Sequence, residues 1–166
     1  MRPASPPQLD IRIQSPLWAQ QPLAEKTVRE AVIAAAAALS TQAGEVSILL
    51  ADDATIRSLN RDWRGIDKPT NVLSFPAAGS EAGARRFQGE RLLGDIVIAY
   101  ETLKRESEEE RREFLHHLSH LTVHGFLHLI GYDHQTDTQA EEMEGLESKI
   151  MVHLQMPDPY LDRRNA

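Results

Sequence analysis

The alternation of apolar and polar residues along the chain predicts four short strands. The apolar positions of LDIRIQ (9–14) recur at every second residue, which is typical of a half-buried strand or a sheet edge. The segments EVSILL (45–50) and NVLSF (71–75) also predict strands, and the strongly apolar LGDIVIAY (93–100) predicts a central one. The Gly- and Ala-rich residues 76–91 have no apolar period and therefore predict a loop.

Helical spacing predicts two helices in the first half of the chain. The first covers residues 24–39, where a run of alanines favours helix formation and close packing. The second is capped by Asp52 or Asp53 and ends at Gly65. Its apolar positions share one face, which we expect to be buried: Ile56, Leu59 and Trp63.

Three further helices are predicted after the fourth strand. A polar helical stretch starts at Glu101, and the main helix covers about 108–130, where Gly131 breaks it. Thr138 and Glu141 predict a capping box at the start of the last helix. The order of elements predicts an α+β (α/β-like) fold, in which a single mixed four-stranded sheet packs with about five helices.

Length and composition indicate one globular domain over residues 1–166, with loose tails at 1–8 and 156–166. No apolar run reaches the roughly 20 residues that span a membrane, and the N-terminus does not have the pattern of a signal peptide. We therefore expect a cytoplasmic protein. The formal net charge of −7 argues against a general nucleic-acid binder, although clustered basic residues at 61–68 and 84–91 leave a local basic face open.

The histidines carry the clearest chemical signal in the sequence. His124 and His128 are four residues apart on the main helix, so they share one face. Gly131 can reverse the chain and bring His134 back over the last helical turn. Because the chain has no cysteine, any metal must use His, Asp or Glu ligands. We predict that one zinc ion is bound by three ligands at the end of the penultimate helix, leaving a fourth position open for chemistry: His124, His128 and His134.

Three more histidines lie upstream on the same helix. His116, His117 and His120 are too many for the same tetrahedral ion, so we assign them solvated or packing roles. His120 lies one turn from the ligands, where it could also support one of them. The segment HGFLHLIGYDH further matches the zincin frame H-x-x-x-H-x-x-G-x-x-H, but Gly125 stands where zinc proteases have their general-base Glu.

Three motifs together resemble the YbeY family of bacterial metal-dependent endoribonucleases. They are HGFLHLIGYDH (124–134), WRGIDKPTNVLSFP (63–76) and LLGDIVIA (92–99), in the order and spacing of that family. The resemblance implies a zinc-dependent, single-strand-specific endoribonuclease that matures ribosomal RNA, including the 3′ end of the small-subunit rRNA. It also implies a role in ribosome quality control, with the small ribosomal subunit and its assembly factors as partners.

Within these motifs, three residues outside the histidines are candidates for the site. We assign substrate-phosphate binding to Arg64, since a guanidinium can hold a phosphate through two parallel hydrogen bonds, and extend this role to Lys68. Asp95 lies in an apolar strand and needs a partner. It either orients a metal-bound imidazole or has a structural partner in the backbone or an Arg.

Two alternative functions remain open on the sequence. The first is a zincin-like metallopeptidase that takes its general base from elsewhere in the chain. The second is a ribosome-assembly factor without catalytic activity, in which the metal only fixes the fold.

Overall fold

The computed structural model describes residues 6–40, 44–77, 86–87 and 90–161. Its strands are β1 (Gln8–Ile13), β2 (Glu45–Ala51), β3 (Val72–Pro76), β4 (Arg86–Phe87) and β5 (Glu90–Ala99). They form one sheet in the order β1-β2-β5-β3, and the short β4 pairs with the start of β5. The β1-β2 and β2-β5 pairs are parallel, whereas β3 and β4 run antiparallel to β5. The apolar LGDIVIAY segment is central and LDIRIQ is an edge strand, as predicted.

Five α-helices surround this sheet, after a short 3₁₀ helix at Pro16–Gln20. They are α1 (Ala24–Ala38), α2 (Asp53–Arg64), α3 (Tyr100–Glu109), α4 (Phe114–Leu129) and α5 (Asp137–His153). Helix α4 contacts β3, β5, α1, α3 and α5, so it lies at the centre of the main core. Helix α2 covers a smaller apolar cluster that includes Ile56, Leu73 and Val97. This arrangement confirms the predicted α+β fold with a mixed sheet. Among the described residues, no helix has both the length and the apolar character that crossing a membrane requires.

The boundaries of α3 and α4 differ from the prediction. The main helix begins at Phe114 rather than near residue 108, because Arg111 adopts a left-handed conformation with φ of 54°. The amide of Arg112 then donates to the carbonyl of Ser107, which ends α3. Neither Gly nor Pro marks this break, so the sequence predicts continuous helix there.

The start of α5 also differs from the prediction. The capping box is formed by Thr136 and Gln139, two residues before the predicted pair Thr138 and Glu141. Both pairs satisfy the same local pattern. The choice between them therefore depends on where the chain returns from the preceding turn.

The predicted loop and tails are only partly as expected. Of residues 76–91, the segments 78–85 and 88–89 lie outside the described residues, whereas Arg86–Phe87 pairs with β5. At the N-terminus, Gln8 already belongs to β1. Residues 156–161, which we expected to be loose, pack against α4 and α5. The amide of Tyr160 and the hydroxyl of Ser148 both donate to Asp158.

The predicted buried face of α2 is wrong at its last position. Ile56 is buried and Leu59 is half-buried, but Trp63 has 74% of its surface exposed. The buried polar residue Asn60 lies on this side instead, and its side-chain amide donates to the carbonyl of Lys68 at 2.9 Å. The first two turns of α2 cover the apolar cluster. The last turn extends past it.

Candidate metal centre

The end of α4 has the geometry that returns the chain toward its own last turn. The amide of Gly131 donates to the carbonyl of His128, and the amide of Tyr132 donates to that of Leu127. This pair of bonds is a Schellman motif, which requires a left-handed residue after the helix. Gly131 supplies it with φ of 107°. The reversal predicted from the sequence is therefore present.

Three imidazoles meet at this reversal. His124, His128 and His134 each offer a nitrogen atom, and the three atoms lie within 4.8 Å of one another. The rings of His124 and His128 are 4.6 Å apart between centroids, and that of His134 lies 5.6 Å and 5.0 Å from them. His124 and His128 are half-buried, whereas His134 is exposed. The group can hold one metal ion with a side open to solvent.

The hydrogen bonds of two of these rings fix which nitrogen faces the centre. His128 Nδ1 donates to the carbonyl of Tyr132 at 2.9 Å, and His124 Nδ1 donates to Glu147 Oε1 at 2.5 Å. In the neutral rings each Nε2 is therefore a bare acceptor. These two Nε2 atoms face each other at 3.1 Å. Two lone pairs at this distance repel unless a cation lies between them, so the donor set fits a metal ion.

Glu147 is the buried carboxylate behind His124. Its side chain is 1% exposed, and it accepts hydrogen bonds from His124 Nδ1, His120 Nε2 and the hydroxyl of Tyr160. Burial raises the pKa of Glu147, but the bonds from His120 and His124 outweigh it and lower the pKa to about 2. Glu147 is therefore ionised, and its carboxylate holds the ring of His124 in a fixed orientation.

The pKa of His128 is lowered, first by burial and then by the neighbouring His124 and His134. The carbonyl of Tyr132 and the charge of Asp133 raise this pKa, but they offset the lowering only in part. A lowered pKa favours the neutral imidazole, which is the form that binds a metal.

A cavity of about 310 Å³ extends from His124 along α4. Its lining includes Asn71, Glu106, His117 and Tyr160. His117 Nε2 lies 3.0 Å from Glu106 Oε1, and the side-chain amide of Asn71 donates to the same oxygen at 3.0 Å. Glu106 is thereby held in the lining of the cavity by His117 of α4 and by Asn71, the residue before β3.

The upstream histidines do not join the metal group. His116 pairs with Glu113 at 3.3 Å, and His117 pairs with Glu106. His120 contacts Glu147 at 3.4 Å, the same carboxylate that binds His124. His120 thus shares a carboxylate with the candidate ligand His124, whereas His116 lies apart from the group.

The predicted phosphate-binding residues lie at the end of α2. Arg64 is its last residue and Lys68 follows in the turn, and both are exposed. Within the described ranges, neither side chain makes a hydrogen bond or ion pair, and neither lines the cavity at His124. The turn that follows them leads to Asn71, which does line that cavity.

Asp95 lies on the other side of the sheet from the histidines. The side chain of its neighbour Ile96 packs against Gly125 of α4, and successive strand residues point to opposite faces. Asp95 is exposed and shares a second cavity with Trp63 and Phe75. Partial burial raises its pKa. The structure therefore does not bring Asp95 to an imidazole. It does not support the predicted role in which Asp95 orients a metal-bound histidine.

Sequence reasoning missed Glu147 and Tyr160. A signal for Glu147 was present, since it lies four residues after Met143 and three before Ile150, on the buried side of α5. A carboxylate on such a face requires a partner, and the nearby histidines offer one. Tyr160 gave no comparable signal, because it lies in an irregular segment after two prolines.

Comparisons with known proteins give a consistent result. The family model of Endoribonuclease YbeY matches residues 12–155. Endoribonuclease YbeY of Bradyrhizobium sp. strain BTAi1 is 55% identical over 164 residues, covering 97% of each chain. Endoribonuclease YbeY of Bradyrhizobium diazoefficiens is 54% identical and covers 95% of this chain and 87% of its own. That of Nitrobacter hamburgensis is 53% identical and covers 93% of this chain and 82% of its own.

A solved structure shares the fold. The solution structure of TM1509 from Thermotoga maritima aligns with a TM-score of 0.55 at 21% identity. The alignment covers 89% of this chain and 92% of the other.

Proposed function

The chain belongs to the Endoribonuclease YbeY family, and from this premise we propose that it hydrolyses single-stranded RNA at a zinc-dependent centre. Its substrate would be ribosomal RNA, including the 3′ end of the small-subunit rRNA, and the reaction would serve rRNA maturation and ribosome quality control. The small ribosomal subunit and its assembly factors are the proposed partners. The observation that supports this most is the group of three imidazole nitrogens within 4.8 Å, with one side open to solvent.

We propose one zinc ion per chain, held by His124, His128 and His134. Three histidines with an open fourth position are typical of catalytic zinc sites rather than structural ones. Such an ion supplies Lewis-acid chemistry, which polarises a phosphoryl oxygen or lowers the pKa of a water molecule. Glu147 and the carbonyl of Tyr132 hold two of the rings in the tautomer that presents Nε2. His120 and Tyr160 in turn position Glu147.

Arg64 is the proposed ligand of the scissile phosphate, and Lys68 is a second cation for the RNA backbone. Both side chains are exposed: Arg64 is the last residue of α2, immediately before Gly65, and Lys68 lies in the turn that follows. A guanidinium with no other partner among the described residues is available to bind a phosphate through two hydrogen bonds. It would stabilise the charge that develops on the phosphate during hydrolysis.

A zincin-like peptidase is disfavoured at the residue after the first ligand. Gly125 occupies the position of the zincin general base, and it is buried against the sheet. A Cβ at this position would lie 3.1 Å from Ile96 Cγ2 and 3.1 Å from Ser74 Oγ. The packing of α4 on β3 and β5 is thus too tight for a side chain at this position unless Ile96 and Ser74 shift.

The test is RNA cleavage measured together with bound zinc. Zinc-loaded protein should cleave single-stranded RNA but leave casein intact, and a chelator should abolish cleavage while the far-UV circular dichroism persists. His124→Ala, His128→Ala and His134→Ala should each lose zinc and cleavage, whereas the matched His116→Ala should retain both. Zinc loss in His116→Ala with zinc retained in His134→Ala would refute the ligand set. Folding lost with the metal would instead support the assembly-factor alternative.

A further inference from the structure

The face of the sheet opposite α4 carries a cavity of about 690 Å³. Trp63 and Phe75 line it on the side of α2 and β3, and strand residues such as Leu49 and Val97 line its base. Asp10 and Asp95 line it from β1 and β5. The metal centre does not use this cavity, because His124 and its neighbours lie on the face of the sheet that α4 covers.

Trp63 is unusually exposed for a large apolar residue. It is 74% exposed, although it is the largest apolar side chain of α2. Its ring centroid lies 6.3 Å from that of Phe75 with an angle of 60° between the planes, so Phe75 supports one side of it. An exposed aromatic surface of this kind at the rim of a cavity is typical of a binding site.

The α2 side of the cavity around Trp63 carries an excess of cations. The end of α2 and the turn after it carry four cations: Arg57, Arg61, Arg64 and Lys68. Two of them pair with acids of the same segment, Arg57 with Asp67 and Arg61 with Asp62. On the strand side of the cavity, Asp10 pairs with Arg12 at 3.3 Å, and Asp95 is a second carboxylate. A polyanion would therefore follow the α2 rim, while an uncharged flat group enters the cavity.

We propose that Trp63, supported by Phe75, is a stacking platform for one base of the single-stranded RNA substrate. This inference rests on the proposed function and adds a substrate-binding residue to it. Proteins that bind single strands combine a cationic track for the backbone with aromatic rings on which bases stack. The α2 rim provides the track and Trp63 provides the ring. A base in a duplex is already stacked on both faces, so the platform also gives a physical reason for single-strand preference.

The platform and the metal centre are separated by the edge strand β3. The hydroxyl of Ser74 donates to the carbonyl of Gly125, beside His124, at 3.2 Å. Phe75, the next residue, points to the opposite face and contacts Trp63. An RNA strand that passes around this edge can reach both sites. The base on Trp63 then lies away from the metal centre and does not take part in the reaction, so its binding affects KM rather than kcat.

Fluorescence separates the two tryptophans of the chain. Trp18 is 2% exposed and donates through Nε1 to the carbonyl of Ala51, whereas Trp63 is open to solvent. A 2′-O-methylated single-stranded oligoribonucleotide should quench the fluorescence of the zinc-loaded protein, and its duplex should not. Trp63→Phe, which leaves only Trp18, should show no quenching. Quenching of equal size in Trp63→Phe would overturn the proposal.

Kinetics provide the second test. Trp63→Ala should raise KM for single-stranded RNA by about 5- to 150-fold at nearly constant kcat, since stacking on an aromatic ring contributes in this range. Trp63→Phe should stay close to wild type because it keeps an aromatic face. Zinc content should be unchanged in both. The matched control is Leu23→Ala, which removes another exposed apolar side chain outside the cavity.

Unchanged KM in Trp63→Ala, or an equal rise in Leu23→Ala, would overturn the platform while leaving the endoribonuclease intact, and a protein partner would then be the candidate occupant. Wild-type protein that neither binds nor cleaves RNA would overturn the proposed function and the platform together.

Discussion

Glu147 is the buried carboxylate that supports the proposed metal centre without belonging to its ligand set. It is the acceptor for His124 Nδ1 and also contacts His120 and Tyr160. Carboxylates of this kind fix the orientation of a ligand ring and raise its basicity. The carboxylate is buried and ionised, so its charge is not screened by water.

Replacing this carboxylate should weaken the metal site without removing a ligand. We expect Glu147→Gln to lower zinc affinity by about 10- to 100-fold, because Gln can still accept from His124 but lacks the charge. Competition with a chromophoric chelator measures the affinity. Glu141→Gln, an exposed position on the same helix, is the control and should match wild type. Wild-type affinity in Glu147→Gln would mean that its charge does not act on the metal.

Arg64 allows a residue-scale test that is independent of the metal. Arg64→Ala should lower kcat for RNA cleavage by a factor on the order of 10²–10³, or about 2.7–4 kcal/mol, because one charge-stabilising donor is lost. Arg64→Lys should recover only part of the lost kcat, since Lys keeps the charge but cannot form two parallel hydrogen bonds with the phosphate. Zinc content should be unchanged. Arg29→Ala, an exposed arginine on α1, should behave as wild type. Cleavage at the wild-type rate by Arg64→Ala would exclude Arg64 from the reaction.

At the scale of elements, the junction between α4 and α5 assembles the metal group. Two of the proposed ligands lie on a helix and the third follows the turn, so the distances among them depend on the backbone at Gly131. An ideal Cβ at Gly131 meets no atom within 4 Å, but its φ of 107° is unfavourable for any other residue. The restriction therefore comes from the backbone alone and not from a neighbouring side chain.

Gly131→Val should accordingly reduce zinc affinity although no ligand changes. A β-branched residue at this conformation costs about 1–3 kcal/mol, so the turn shifts and His134 moves from the other two rings. Isothermal titration with zinc measures the effect. Gly145→Ala is a matched control, because Gly145 also has open space around its Cβ position but lies within α5. It should bind zinc normally and gain about 0.5–1 kcal/mol of stability. Equal zinc affinity in both variants would show that His134 tolerates a different turn.

At the scale of the whole molecule, the pair of Glu106 and His117 connects α3, α4 and the start of β3. His117 is buried, and Asn71 completes the arrangement from the residue before β3. Burial raises the pKa of Glu106, but the hydrogen bonds from His117 and Asn71 outweigh it, and the pKa is lowered. The ionised carboxylate therefore stabilises the native state.

This lowered pKa predicts a pH dependence of stability. A carboxylate with a lowered native pKa stabilises the fold fully above its unfolded pKa of about 4.3, and this contribution is lost as the pH falls through the native value. Wild type should therefore exceed Glu106→Gln in free energy of unfolding at about pH 5, and the difference should shrink toward pH 3.5. Urea unfolding of both proteins tests this. Glu108→Gln, exposed on the same helix, should follow wild type throughout. A difference independent of pH would assign Glu106 a role that does not depend on its charge.

The sequence by itself determined the features that depend on near neighbours in the chain. The spacing of His124 and His128, the reversal at Gly131 and the end of α2 at Gly65 all follow from helix geometry and from glycine at left-handed positions. The same holds for the central strand, whose continuous apolar run requires burial on both faces. The resemblance to the Endoribonuclease YbeY family, also recognisable from local motifs, is confirmed by the family match and the relatives.

The tertiary structure alone decided which distant residues meet. Asp95 faces away from the histidines because the direction of β5 side chains depends on how the sheet packs under α4, and a shift of one residue would reverse it. Trp63 is exposed because α2 extends beyond the cluster it covers. Glu147 contacts His124 although 23 residues of chain separate them, and Tyr160 in turn donates to Glu147 from the C-terminal segment. Such contacts arise from the packing of α5 and the C-terminal segment on α4, and local spacing carries no information about that packing.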